Sequence, residues 1–274
     1  MAFFDLIVAT VDRVAEFDGL LTSFERQTYR DFRVIVADQN AGDRVESVLR
    51  KHADLDVTHM RAERGLSRAR NAALPEIGAE VVAFPDDDCR YPDDLLERVA
   101  LRFADETLDG LTGREVDTDG RSSPSWRRDS ATLTRANLWN RAISFTIFLR
   151  AAVVREVGAF DEALGLPSAS GEEIDYLIRA IDAGARIEYD PGLVVVHPDK
   201  PVDRVAVGAR DGASLGYILR KHRYPLGTVV RMLARPAGGA LLHALRSDRA
   251  GTRFHLSTLH GRLVGYRSSA GTDQ

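Results

Sequence analysis

Apolar, β-prone runs recur early in the chain, at residues 4–9, 32–37, 55–60 and 80–84, and stretches of helical periodicity separate them. Val14, Phe17, Leu20, Leu21 and Phe24 follow the spacing of one buried helical face. Residues 43–53 carry Val45, Val48 and Leu49, and residues 66–77 present Ala69, Ala72 and Ala73 as a small-residue face. Strand–helix alternation of this kind predicts an α/β fold, a mostly parallel central sheet with helices on both faces.

Past residue 105 the pattern loosens, and "GREVDTDGRSSPSWRRDS" reads as a long loop or an irregular insertion. Order returns over residues 141–157. A turn-rich "GAFDEALGLPSAS" then leads into the helix "GEEIDYLIRAIDAG". Two strands, 185–189 and 193–197, are expected around a turn at Asp190-Pro191-Gly192. From Pro201 onward the chain reads as helical and basic, with breaks at Pro225 and Pro236. The expected division is an α/β domain over residues 1–202 and a helical extension over 203–274.

In a parallel sheet, ligands sit in the crevice beyond the carboxyl ends of the strands. Four polar stretches follow the four apolar runs and converge there: "ATVDR", "ADQN", "RAERG" and "PDDDC".

Composition narrows this picture modestly. With 44% hydrophobic and 28% charged residues the chain suits a soluble globular protein. Its single cysteine, Cys89, excludes an internal disulfide framework and a multi-cysteine zinc site. The start, "MAFFDLIVAT", lacks a basic flank and is interrupted by Asp5, so it reads as a strand rather than a secretory signal. No apolar run approaches the ~20 residues of a spanning helix, and a cytoplasmic location is expected. Charge changes the picture more. Residues 203–274 hold 12 Lys/Arg against 4 Asp/Glu, or +8, so the net −4 leaves −12 on residues 1–202. A basic tail on an acidic body either meets phosphates or anionic lipid, or is a solvated helical surface.

Three carboxylates in a row at a strand end repel one another and need a reason to be there. Hard oxygen ligands in a compact negative cluster suit Mg²⁺ or Mn²⁺, and Asp86 and Asp88 form an Asp-x-Asp pair able to divide its work between a ribose and a metal. Ordinary helix-start chemistry, with Pro92 at the first helical position, accounts for Asp93 and Asp94 but not for Asp86–Asp88. Around residue 173, Ile174, Leu177, Ile178 and Ile181 make an apolar stripe that points Glu172 outward and leaves Glu173 at its border. Ser170-Gly-Glu-Glu173 also fits a capping box, and spacing alone favours that role for Glu173 over a general base. His197 is either a third metal ligand or a polar strand end, and the residues by themselves favour the latter. Arg68, Arg70 and Asn71 read as a solvated basic face unless a diphosphate lies beside them.

These stretches together resemble the family 2 glycosyltransferases of GT-A fold, over roughly residues 4–200 and in the family's order. "LIVATVDRVAEFDGLLTSFERQTYRDFRVIVADQN" is similar to its opening strand, the helix ending in Gln-Thr-Tyr and the strand ending in aspartate. "RGLSRARNAAL", "VVAFPDDDCRYPDDLLERV", "GAFDEALG" and "GEEIDYLIRAIDAGARIEYDPGLVVVHP" resemble four further family segments. The resemblance implies nucleotide contacts at Thr10, Asp38, Arg70 and Asn71, with Asp86 and Asp87 on the donor. It implies a metal, Mn²⁺ or Mg²⁺, on the aspartate run, assigned to Asp88 and Asp86, and His197 is a further candidate ligand by residue type alone. Glu173 stands where the family commonly has the aspartate of its Glu-Asp pair, the usual catalytic base.

The function expected from this is inverting transfer of a sugar from a UDP-, dTDP- or GDP-linked donor to a saccharide or lipid-linked saccharide acceptor. Surface polysaccharide or glycan assembly is the expected setting, with no nucleic-acid partner. The basic tail would touch the inner face of the cytoplasmic membrane, cover the acceptor side or form a homodimer interface. Two rivals use similar parts: a nucleotidyltransferase, which ordinarily wants a Gly-rich loop where this chain has "ATVDRVAEF", and a nucleotide-sugar-binding module without catalysis.

Overall fold

Every residue of β1 (Phe4–Thr10) is buried, as a strand covered on both faces requires. The computed structural model describes residues 2–165, 170–198 and 202–268. After β1 come α1 (Val14–Glu25), β2 (Phe32–Asp38), α2 (Arg44–Leu49), β3 (Val57–Arg61), α3 (Leu66–Ala73), β4 (Val81–Ala83) and α4 (Leu95–Phe103). The sheet is completed by β5 (Gly110–Val116), β6 (Ala131–Thr132), β7 (Phe148–Arg150) and β8 (Ile187–Val196), with α5 (Ala151–Val157) and α6 (Glu172–Asp182) between the last two strands. Three helices follow, α7 (Arg204–Lys221), α8 (Leu226–Leu245) and α9 (Arg249–Arg267). Strand order is β3-β2-β1-β4-β7-β5-β8-β6. The first four strands are parallel, β7 runs antiparallel to both its neighbours, and β8 lies parallel to β5.

The chain divides into two compact units, Met1–Asp161 with Tyr176–Asp199, and Glu162–Asp175 with Lys200–Gln274. In the first, α1 buries Phe17, Leu20, Leu21 and Phe24 against the sheet, each contributing at most about 1.5–3 kcal/mol by area. Asp5 is buried within β1, which is tolerable only because its carboxylate is saturated. Arg33 holds it with two contacts at 2.9 and 3.0 Å, and the N–H groups of Gly78 and Ala79 donate at 2.7 and 2.9 Å.

Four expectations are corrected here. The stretch "GREV" is not loop but the end of β5. Gly113 permits this, because a side chain there would collide with the Leu193 carbonyl of β8. Residues 187–196 form one strand, not two around a turn. The Gly192 N–H folds back onto Asp190 Oδ1 (2.8 Å), and the irregularity is absorbed as a register shift against β5. Pro92 precedes α4 by a turn, the Leu95 N–H donating to its carbonyl at 3.0 Å, and Asp94 is the residue before the helix. Pro236 lies inside α8 without ending it, whereas Pro225 does mark a boundary.

In the second unit, α7 and α9 meet along glycines. Gly208, Gly212 and Gly216 recur every fourth residue on α7, and a Cβ at Gly212 would lie 2.5 Å from the Thr258 carbonyl. Gly261 and Gly265 answer them from α9, against Ala209 and Ala213. Asp203 and Asp248 cap α7 and α9 by accepting backbone N–H bonds. Asp175, fully buried in the first turn of α6, is held by Lys221 Nζ at 2.7 Å and His222 Nε2 at 2.8 Å.

Candidate functional site

The carboxyl ends of β1 to β4 line up in register. Thr10 pairs with Asp38, Asp38 with Arg61, and Ala9 bridges to Asp86 just beyond β4. From Asp86 the chain turns, the Cys89 N–H donating back to the Asp86 carbonyl at 3.2 Å. The three aspartates therefore fan out from one turn in different directions.

Asp86 Oδ1 accepts from Arg70 Nη2 at 3.0 Å and from Ser144 Oγ at 3.1 Å. Asp87 turns back to β1, accepting from the Val11 N–H at 3.4 Å and from Arg13 at 3.1 Å. Asp88 divides its oxygens, Oδ2 to Arg13 at 2.7 Å and Oδ1 to His197 Nε2 at 3.1 Å. Burial pushes the Asp87 carboxyl up to about 6, against the opposing pull of Arg13 and a hydrogen bond from Thr10. The hydrogen bond to Asp88 raises His197 above its ordinary value. Burial pushes the neighbouring Cys89 thiol well up, so it takes no part as a thiolate.

His197 reaches this turn through a contact remote in sequence. Arg90 and Val196 exchange backbone hydrogen bonds of 2.7 and 3.0 Å, and the imidazole stacks on Phe145 with centroids 5.0 Å apart. One ligand atom from each of Asp86, Asp88 and His197 lies within 4.8 Å of the others. Two carboxylates and an imidazole in that space are a donor set that fits a divalent cation.

The remaining predicted residues take distinct places. Thr10 is buried at the end of β1. Asp38 is buried with both oxygens engaged, Oδ1 by Asn40 and Oδ2 by Arg61 (2.6 Å) and His59 (3.0 Å). Arg70 is not on a solvated face. It is 1% exposed and packs over Phe84 and Phe160, while Arg68 alone of the pair is exposed. Asn71 clasps the backbone of Phe160, donating to its carbonyl at 3.0 Å and accepting its N–H at 2.7 Å. Glu172, expected to point outward, is 4% exposed, because the first turn of α6 is covered on its polar side as well as along its apolar stripe. The Ser170 N–H donates to Ser214 Oγ at 2.9 Å and its hydroxyl to Asp211 at 2.8 Å.

Sequence reasoning missed Arg13, the cation between Asp87 and Asp88, whose only signal was its place at the end of "ATVDR". It also missed Asn40, which accepts the Asp12 N–H at 2.7 Å and donates to Asp38, tying the ends of β1 and β2 together. Gln27 has a similar job. It donates to the Pro92 carbonyl at 2.7 Å and accepts the Leu96 N–H at 3.1 Å, fixing the chain just after the aspartates.

A mostly parallel sheet that gathers an Asp-x-Asp turn and a buried arginine at its strand ends, followed by a helical region, is the architecture of the GT-A glycosyltransferases. The mannosyltransferase PcManGT from Pyrobaculum calidifontis, solved in complex with GDP-Man and Mn²⁺, has this fold. It superposes with a TM-score of 0.70 over 96% of this chain and 87% of that one, at 18% identity. Residues 5–158 match glycosyl transferase family 2, and the chain belongs to that family. It is 30% identical over 229 residues to the pre-mycofactocin glycosyltransferase of Mycobacterium tuberculosis, covering 78% of this chain but 47% of that protein. To glycosyltransferase AglE of Haloferax volcanii it is 24% identical over 212 residues, 73% of this chain and 68% of the other. The chain thus spans about half the length of its mycobacterial relative.

Proposed function

We propose that the protein is an inverting, metal-dependent glycosyltransferase moving a sugar from a nucleotide-diphosphate donor to a hydroxyl of a saccharide or lipid-linked saccharide. The observation that carries this reading is the convergence of Asp86, Asp88 and His197 at the strand ends of a family 2 chain. The Mn²⁺ and GDP-Man held by the Pyrobaculum structure support the same chemistry.

In this reading Thr10 and Asp38 line the base pocket, and the bonds from Asn40, His59 and Arg61 keep the Asp38 side chain fixed for that task. Arg70 braces Asp86, and Asn71 holds the Phe160 segment beside it. Asp86 and Asp87 face the donor, and Asp88, Asp86 and His197 hold the cation. When bound there, a divalent cation offsets charge developing on the departing diphosphate. Glu173 takes the proton of the acceptor hydroxyl as its oxygen bonds to the anomeric carbon and the bond to the diphosphate breaks. Attachment to the inner face of the cytoplasmic membrane belongs to the same reading, since a lipid-linked acceptor lies there.

A panel of sugar nucleotides with Mn²⁺ tests the whole reading. Release of nucleoside diphosphate, in transfer or slow hydrolysis, is the expected result. Pyrophosphate release would assign nucleotidyl transfer instead, and binding without turnover a binding module.

The ligand set also predicts a pH dependence. His197 must be neutral to bind a cation, and its hydrogen bond to Asp88 raises its proton affinity. Protons therefore compete with metal below its raised pKa, and Mn²⁺ affinity should fall about tenfold per pH unit there, with release of about one proton on binding. Calorimetry in buffers of differing ionisation enthalpy measures that proton. Its absence would remove His197 from the ligand set.

A further inference from the structure

The outer face of α8 carries an observation of its own. Val229, Pro236 and Ala240 form its buried side. On the other side Leu226, Val230, Ala234, Ala237, Leu241 and Leu245 recur at three- and four-residue spacing, within an arc of about 100°. The large members are among the most exposed apolar side chains described: Leu226 74%, Val230 56%, Leu241 63% and Leu245 76%. A soluble helix normally shows one apolar stripe, and a second one open to solvent marks an interaction surface.

Charge says what it meets. Arg231 and Arg235 run along one margin of the stripe and Arg246 follows at the helix end, all exposed, and α8 contains no carboxylate. A second copy docked on this stripe would bring like-charged margins together with no acidic residue in α8 to receive them. An anionic lipid surface receives them directly, with the leucines entering the acyl boundary and the arginines lying at headgroup level. No helix among the described residues is long and apolar enough to cross a membrane, so the helix would lie along it.

We infer that the Leu226–Leu245 face of α8 is a membrane-docking element for anionic bilayers. This deepens the membrane-attachment part of the proposed function and rests on that reading only for the acceptor's whereabouts. The leucines supply the burial and Arg231 and Arg235 the selectivity for negative headgroups. Binding is reversible, because one interfacial helix does not anchor irreversibly.

Co-sedimentation of the full chain with vesicles tests it, using phosphatidylcholine alone and phosphatidylcholine with about 30 mol% phosphatidylglycerol, the composition that gives an anionic surface potential. The wild type should sediment with the mixed vesicles at low salt, not with the neutral ones, and should be released in high salt. Leu241→Asp with Leu245→Asp should lose binding by at least about tenfold, since charge is excluded from the acyl boundary. Arg231→Gln with Arg235→Gln should weaken binding and flatten its salt dependence. Both variants should keep the wild-type circular dichroism and the vesicle-free release of nucleoside diphosphate, so a failed docking idea and a failed transferase reading are separable. Equal binding to neutral vesicles, no binding at low salt, or full binding by the double aspartate variant overturns the proposal. Sedimentation equilibrium showing a dimer that the aspartate variant dissolves, without vesicle binding, would assign the face to a second copy.

Discussion

Asp88→Asn is expected to abolish the coupling between divalent metal and nucleoside-diphosphate binding while leaving the protein folded. Asparagine keeps the shape and one acceptor oxygen but removes the negative charge that a hard cation selects. Replacing a residue that merely orients a metal ligand already costs roughly 10–100-fold in metal affinity, so loss of a direct ligand should cost at least that. Folding should survive for a local reason. Arg13 is bound by Asp87 at 3.1 Å as well as by Asp88 at 2.7 Å, so the variant does not strand it. Asp93→Asn, in the same acidic stretch but on an exposed carboxylate facing Arg26, is the control and should leave metal affinity unchanged. Calorimetry of UDP and GDP with Mn²⁺ and with chelator measures the coupling. Equal wild-type affinity in both conditions would remove the metal from the site and Asp88 with it.

The half of the sheet that builds this site was readable because its signals are local. The β1, β2 and β4 runs are largely apolar on both faces, each is followed by polar residues, and parallel connectivity sends those residues to one edge. What escaped was set by partners far along the chain. His197 is an unremarkable strand-end histidine until the Arg90–Val196 pairing, which spans more than a hundred residues, lays it against Asp88. The polar stretch after residue 112 hid the end of β5, since Gly113 is needed to clear β8 and Arg114 is satisfied by the Pro191 carbonyl, neither visible as a β signal. Likewise Asp190-Pro191-Gly192 has turn chemistry and makes a local turn of hydrogen bonding, but the strand continues through it. Projection of α6 as a one-sided helix misplaced Glu172, because it cannot register a second covering around the buried Asp175.

Glu173→Gln is expected to cut turnover by about 10²–10⁴-fold, the range over which a positioned general base contributes, with nucleoside-diphosphate affinity nearly unchanged. Glutamine preserves size and hydrogen bonding and removes only the ability to take a proton. The first turn of α6 suits an ionised carboxylate, since the helix dipole favours negative charge there. Asp175 in the same turn is held by Lys221 and His222. Glu173→Asp separates a base from a structural acid. Shortening by one methylene moves the carboxylate by about 1 Å, and an error of that size costs up to about 10²-fold in a positioned reaction. The aspartate variant should therefore stand between glutamine and wild type and show the wild-type pH profile, whereas a purely structural carboxylate would give two variants alike in rate. Single-turnover transfer with a saturating donor reads the chemical step directly. If glutamine retains wild-type turnover and lowers only the melting temperature, Glu173 stabilises α6 and another group takes the proton.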